Sequence, residues 1–337
     1  LKGLLARRCI ALTGTPVENH LRDLWSIFDL AMPGLLGGPT RFTKTFLGPI
    51  RAGDGDAMER LKQRVGPFLL RRTKHDKDVI DDLPPKQEQR VDCELTREQA
   101  ALYRALTEAT FDGIRTRAGM DRRAHILAAL TGLKQICNHP ENYTTEDPEK
   151  FSGRSGKLDR CMELIGELME SGEPTLIFTQ YREMGVILQR AIEARWDVEV
   201  PFFHGGLGPE ARDEMITSFS AEDGAPVLIL SLKAGGTGLN LTRATAVIHY
   251  DRWWNPAVED QATDRAHRIG QTRRVNVYKF VTRGTLEERI QQMLDEKRAL
   301  AAEVLSTAGE TWLTEMSDGE LRSFLTLDET VGLATED

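Results

Sequence analysis

The chain has 337 residues, of which 40% are hydrophobic and 28% charged, and a formal net charge of −8. That length accommodates two or three ordinary cores. An acidic balance excludes a uniformly basic protein that coats nucleic acid, but a local basic track stays open because phosphate contacts need only a few well-placed Arg or Lys. Cys9, Cys93, Cys137 and Cys161 show no C-x-x-C spacing, so neither a disulfide framework nor zinc is expected. Cys137 and His139 in "ICNHP" are read as structural, and no metal site is expected. No apolar run reaches membrane-spanning length, so no membrane partner and a cytoplasmic location are expected. The first residue, Leu1, is not Met, which reads as processing or, more simply, a fragment.

In chain order, "IALTGTPVEN" (Ile10 to Asn19) is a short apolar run that stops at Thr13-Gly14-Thr15-Pro16, as a buried strand does beside a ligand loop. Leu21, Leu24, Trp25, Phe28 and Leu30 then recur at helical spacing. A basic patch, Phe68 to Lys77, precedes Pro84-Pro85, which reads as a hinge or linker. Residues 86–150 are predicted mainly helical after one strand-like piece, "EQRVDCEL", with Thr96 as a cap and a second amphipathic helix ending before Asn138-His139-Pro140.

From about residue 156 the pattern alternates between strands and helices. Strands are predicted at 175–179, 198–203, 226–231, 245–250 and 275–281, with helices near 183–195, 209–220, 256–269 and 285–305. β-branched runs separated by helices imply a parallel sheet covered on both faces. Ligand sites in such sheets lie beyond the carboxyl ends of the strands, where "TQY", "HGG", "LKAGGTG" and "DRWWNP" all fall. Near the end, Ser317 and Glu320 form a capping-box pattern.

The sharpest local pattern is "NPAVEDQATDRAHRIG". Asn255 suits the N-cap, Pro256 the first helical position and Gly270 the C′ position. On one continuous helix, Gln261, Arg265 and Arg268 at i, i+4 and i+7 would share a face. Two arginines and an amide there suggest a polyphosphate clamp, against the bland alternative of a solvated charged face. "SLKAGGTGLNLT" supplies flexible backbone for close approach to phosphate or sugar, a weak signal alone. No G-x-x-x-x-G-K-[ST] occurs in the chain and no acidic pair after a strand looks able to hold magnesium.

These segments, together with "PFLLRRTK", "CNHP", "SGKL" and "LIFTQY", stand in the order seen in Swi/Snf-type ATPases, and the chain resembles the carboxyl-terminal part of that motor along essentially its whole length. The resemblance implies an α/β fold: a RecA-like second helicase lobe with a parallel sheet, preceded by helical protrusion and insertion regions and the end of the first lobe. The implied boundaries are 1–20 for the end of the first lobe, 21–85 for a protrusion and linker, and 86–150 for a helical insertion. The second lobe would span 151–306 and a C-terminal helix and tail 307–337.

The resemblance also assigns roles. Arg265 and Arg268 would reach the γ-phosphate, with Gln261 ordering the cleft. Thr13, Gly14, Thr15, Gly236, Gly238 and Asn240 would couple the nucleotide site to movement. Thr179, Gln180, His204, Gly205, Gly206, Lys233 and Thr237 would lie along DNA. The Arg71-Arg72-Lys74 patch would contact phosphates or be a solvated face. Trp253 and Trp254 would stack on bases or pack the lobe, and the family pattern favours packing; His249 and His267 are read as structural. The implied cofactors are ATP and Mg2+, held mainly by residues outside this chain. The implied partners are double-stranded DNA and DNA-bound protein complexes, in the nucleoid if bacterial or the nucleus if eukaryotic. A non-catalytic nucleic-acid- or protein-binding module is the second reading, and a nucleotide-sugar transferase the third.

Overall fold

The computed structural model describes residues 8–13, 21–70, 83–144, 151–232, 238–301 and 310–334. The polypeptide divides into two units, Leu1–Asp81 with Leu300–Gly309, and Asp82–Ala299 with Glu310–Asp337. In the first, α1 (Leu21–Ala31), α2 (Pro39–Phe42), a π turn (Thr43–Leu47), α3 (Gly48–Arg51) and α4 (Gly55–Val65) enclose Leu21, Leu24, Phe28, Phe42, Phe46 and Leu61. The helical spacing read for α1 holds. Leu21, Leu24 and Phe28 are buried, and half-buried Trp25 donates Nε1–H to the Gly37 carbonyl at 2.9 Å.

The second unit is built on one parallel sheet. Its strands are β1 (Lys86–Cys93), β2 (Thr175–Thr179), β3 (Phe202–Phe203), β4 (Val227–Ser231), β5 (Ala246–His249) and β6 (Val275–Thr282), in the order β1-β6-β5-β2-β4-β3. Every pairing is parallel. The helices are α5 (Arg97–Ile114), α6 (Gly119–Asn138), α7 (Pro140–Thr144), α8 (Gly156–Glu170), α9 (Arg182–Trp196), α10 (Pro209–Ser220), α11 (Pro256–Thr263), α12 (Leu286–Ala301) and α13 (Asp318–Leu325). Successive strand residues face opposite sides. Ile177, Ile229 and Ile248 therefore join a core with α8 and α9, while Leu176, Phe178, Leu228, Leu230 and Val247 join another with α10 and α11. A third core unites α5, α6, α12 and α13 around Tyr103, Leu130, Leu133, Leu286 and Leu321. This is the α/β, parallel-sheet fold expected.

The caps read from sequence are present. Thr96 closes a capping box with Gln99, Ser317 one with Glu320, and Asn255 accepts from the Ala257 N–H at 3.0 Å. β1 is the charged edge strand of the sheet, and its solvent side carries Lys and Glu as exposed edges commonly do.

Three local readings are corrected. The strand at 198–203 shrinks to Phe202–Phe203. Its preceding backbone is satisfied instead by α9, with Gln189 Nε2 donating to the Val200 carbonyl (2.7 Å) and the Val200 N–H donating to Glu193 (3.1 Å). α8 was not anticipated, although Leu158, Cys161, Met162, Ile165 and Leu168 carry its buried stripe. The helix predicted over 256–269 ends at Thr263, and this matters most for the site.

Candidate nucleotide- and nucleic-acid-facing site

Because all strands are parallel, the carboxyl ends of β2, β3, β4 and β5 lie along one edge of the sheet. Behind that edge sits Asp251, fully buried. Its carboxylate accepts from Thr179 Oγ1 (2.6 Å), Gln180 Nε2 (2.6 Å), the Gln180 N–H (3.1 Å) and Asn138 Nδ2 (3.2 Å). Burial raises the Asp251 pKa, against the pull of the Lys134 charge and the Thr179 hydrogen bond. Thr179 and Gln180, expected along DNA, are both tied to this carboxylate. Thr179 has no exposed surface, and Gln180 spends both ends of its amide internally, its Oε1 accepting from Lys134 Nζ at 3.0 Å. Both side chains fix the loop after β2, Thr179 from a buried position and Gln180 from a partly exposed one.

After β3, His204, Gly205 and Gly206 do stand at the edge, the two glycines exposed. His204 Nδ1 accepts from the Gly206 N–H (3.1 Å), and Arg212 Nη2 donates to the Gly205 carbonyl (2.8 Å). Burial first, then the charges of Arg182 and Arg212, lower the His204 pKa, so the ring is a neutral group in a basic setting. Arg182 and Arg212 were not singled out from sequence; both open or extend helices whose first turns face this edge. After β4, Lys233, Gly236 and Thr237 lie outside the described residues, as do Gly14, Thr15, Arg71, Arg72 and Lys74. Thr13, Gly238 and Asn240 are exposed, and Gly238 has φ +51, a conformation that suits glycine.

The arginine pair lies elsewhere than expected. α11 starts at the carboxyl edge, after β5, and its eight residues extend about 12 Å. Gln261 is on the helix, but Arg265 and Arg268 belong to the turns that follow it, so no single helical stripe carries all three. Gly270, with φ +98, shapes that turn and is not the C′ residue of α11. The turn is bound to the β4–β5 connection: Leu241 N–H donates to the Arg265 carbonyl (2.9 Å) and Arg268 Nη1 to the Leu239 carbonyl (3.2 Å). Gln271 Nε2 reaches the carbonyls of Thr242, Ala244 and Ala266 at 2.9–3.1 Å. Arg265 is only 7% exposed and its buried Nε has no hydrogen-bond partner. Burial and then the Arg268 charge lower its pKa, against the smaller opposing pull of the Asp264 carboxylate, but a guanidinium stays protonated in a protein. A buried cation with an unpaired donor beside a second cation is costly, and an anion with several oxygens would satisfy both.

α11 is held rigidly. Arg252 and Glu259, both fully buried, form a bidentate pair at 2.9 Å and 2.9 Å, and Glu259 also accepts from the Trp253 N–H. The Glu259 pKa falls to about 2 as Arg252 overcomes burial. Trp254 is 4% exposed in the α5–α6 core and half-buried Trp253 packs against the α10–α11 core, so both pack the lobe. At the far end of α11, His249 Nε2 is 2.8 Å from Thr263 Oγ1, and His267 Nε2 is 2.7 Å from the Pro84 carbonyl.

Burial lowers the pKa of His249, and that of His139, from 6.5 to about 4. Both rings are neutral in either state above pH 6.5. Below it the unfolded chain takes up protons that the folded chain refuses until near pH 4, so stability is lost as pH falls. Each histidine is expected to cost about 2 kcal/mol between pH 7 and pH 5. In urea unfolding, His249→Asn should lose about 2 kcal/mol less than the wild type over that interval; an equal loss in both would show that His249 is protonated when folded.

A parallel sheet with polar loops at its carboxyl edge and an arginine turn against the β4–β5 connection has the architecture of a RecA-like domain. A family model described as "SNF2-related domain" matches residues 1–142, and one described as "Helicase conserved C-terminal domain" matches 156–270. The chain is 48% identical over 332 residues to "Putative ATP-dependent helicase/translocase YwqA" of Bacillus subtilis, covering 98% of this chain and 35% of that protein. It is 39% identical to "Zorya protein ZorD" of Escherichia coli, over 89% of this chain and 29% of that one. The solved "Sulfolobus solfataricus SWI2/SNF2 ATPase core in complex with dsDNA" superposes with TM-score 0.65 at 46% identity, over 94% of this chain and 66% of that one. The "Sulfolobus solfataricus SWI2/SNF2 ATPase C-terminal domain" superposes with TM-score 0.63 at 42% identity, over 72% of this chain and 100% of that one. The chain belongs to the SWI2/SNF2 ATPase family, whose members include ATP-dependent helicases and translocases. It spans about a third of the length of the YwqA relative.

Proposed function

We propose that this chain is the carboxyl-terminal part of an ATP-dependent double-stranded DNA translocase, supplying the second motor lobe. The observation that carries the proposal is Arg265, buried with an unpartnered Nε beside Arg268. Its donor chemistry fits the oxygens of a triphosphate. ATP, when bound, supplies the transferable phosphoryl group; Arg265 and Arg268 would meet its oxygens, and Gln271 and His249 would hold the turn that carries them. Gln261 keeps the cleft-ordering role, and Thr13, Gly14, Thr15, Gly236, Gly238 and Asn240 the coupling roles, that the resemblance implies.

Among the described residues no group of three or more His, Cys, Asp or Glu could hold a metal ion. No G-x-x-x-x-G-K-[ST] occurs in the 337 residues. Following the resemblance, we assign the main hold on ATP and Mg2+ to residues outside this chain, and expect this chain alone not to hydrolyse ATP. The DNA backbone would run along His204, Gly205 and Gly206, with Lys233, Thr237, Arg71 and Arg72 as further contacts and Thr179 and Gln180 acting behind the surface. The name of the solved complex with dsDNA supports this choice of partner. DNA-bound protein complexes are the further partners that the resemblance implies.

Backbone recognition predicts sequence-tolerant, salt-sensitive binding. Fluorescence anisotropy with duplexes of unrelated sequence should give equal affinities, with log K falling by roughly 0.9 per log unit of salt for each phosphate neutralised. Affinity that follows sequence but ignores salt would contradict the proposal.

A further inference from the structure

We propose that Lys134, on the helical insertion, is a positioning residue for the nucleic-acid-facing edge: its buried ammonium locks the loop after β2 to the loop after β5. The inference rests on the DNA-tracking reading above. Lys134 is 2% exposed, between Leu133 and Ile136 on the packed face of α6. Its Nζ donates to Gln180 Oε1 at 3.0 Å and to the Arg252 carbonyl at 2.6 Å, and lies 5.3 Å from the centre of the Trp254 ring. One turn later on the same helix, Asn138 Nδ2 donates to Asp251.

Burying an ammonium is unfavourable, and an apolar residue would fill the same space more cheaply. What an apolar residue cannot do is orient an amide. Gln180 turns its oxygen to the Lys134 cation and its Nε2–H to the Asp251 carboxylate (2.6 Å) and the Arg252 carbonyl (2.7 Å). With a cation on one side and an anion on the other, one amide orientation is strongly favoured over its flip. The loop after β2 is thereby held in one arrangement. That loop leads directly into α9 at Arg182, whose charge, with that of Arg212, acts on His204. Lys134 thus sets the spacing of a basic cluster at the edge without touching the ligand.

The test is duplex binding by this chain, followed by anisotropy through a salt series. For Lys134→Met we expect a lowered melting temperature, since the Gln180 oxygen and the Arg252 carbonyl lose their donor. At a temperature where the variant is fully folded we expect affinity about tenfold weaker at every salt concentration, and an unchanged slope of log K against log salt. Gln180→Leu, at a half-exposed position, should show the same loss. The double variant should be no worse than either single, because both act through one chain of hydrogen bonds. A slope reduced by about one would make Lys134 a direct phosphate contact and overturn the inference. Wild-type affinity in Lys134→Met, or additive losses in the double variant, would overturn it as well. Should Lys134→Met fail to fold, wild-type affinity in Gln180→Leu overturns it on its own. A wild-type chain that binds no duplex at any salt concentration overturns the DNA reading itself, and this inference with it.

Discussion

Replacing Arg265 by Ala, in a version of the protein extended to include the family's first motor lobe, is expected to lower DNA-stimulated ATP turnover by about 10³-fold or more. Arg265 is buried, its Nε has no partner, and a second cation, Arg268, stands close enough to disfavour its charge. An arrangement that strains a cation in the free protein is relieved when phosphate oxygens, gaining charge in the transition state, come within reach. Arg265→Lys should recover little, because an ammonium lacks the planar donor fork. Arg268→Ala should also lose activity; Arg268 is exposed and already donates to the Leu239 carbonyl. Steady-state turnover at saturating ATP and duplex measures both. Turnover within a few-fold of wild type for Arg265→Ala would make this turn a structural feature only.

The second large effect concerns stability. Lys157 and Glu287 are both fully buried, with Nζ 2.7 Å and 2.6 Å from the two carboxylate oxygens. The pair joins α8 to α12, and Glu287 also accepts from the Thr282 N–H (2.9 Å) at the carboxyl end of β6. Removing one partner of such a pair strands the other charge, typically at 3–5 kcal/mol. Glu287→Leu should therefore lose about 4 kcal/mol in urea unfolding. Adding Lys157→Met should restore much of it, since two apolar residues leave no stranded charge. A loss below about 1 kcal/mol for Glu287→Leu would mean that water reaches the ammonium.

The parts of this fold legible in the sequence are those decided locally. Thr96, Asn255 and Ser317 announce helix starts because each caps an N–H two or three residues away. Buried strands such as β2 and β4 appear as short apolar runs between polar turns. Distant partners decide the rest. Lys134 reads as one polar residue in an apolar stretch, and its partners lie 46 and 118 residues away. The end of α11 is set by Thr263 meeting His249 and by Gln271 holding three carbonyls, so a 3.6-residue period carried through Arg268 overshoots. α8 carries a legible apolar stripe, Leu158, Cys161, Met162, Ile165 and Leu168. The loops after β2, β3 and β5 are legible as polar breaks that follow apolar runs, whereas the ties from Thr179 and Gln180 to Asp251 span 72 and 71 residues and leave no local mark.

The central claim, that this chain is the second lobe of a DNA-driven motor, is tested most directly by ATP hydrolysis with and without duplex DNA. The comparison is between this chain and the version extended through the first lobe. The account predicts no turnover by this chain under either condition, and turnover by the extended protein that rises severalfold or more with duplex. Hydrolysis by the extended protein at the same rate with and without DNA would contradict it.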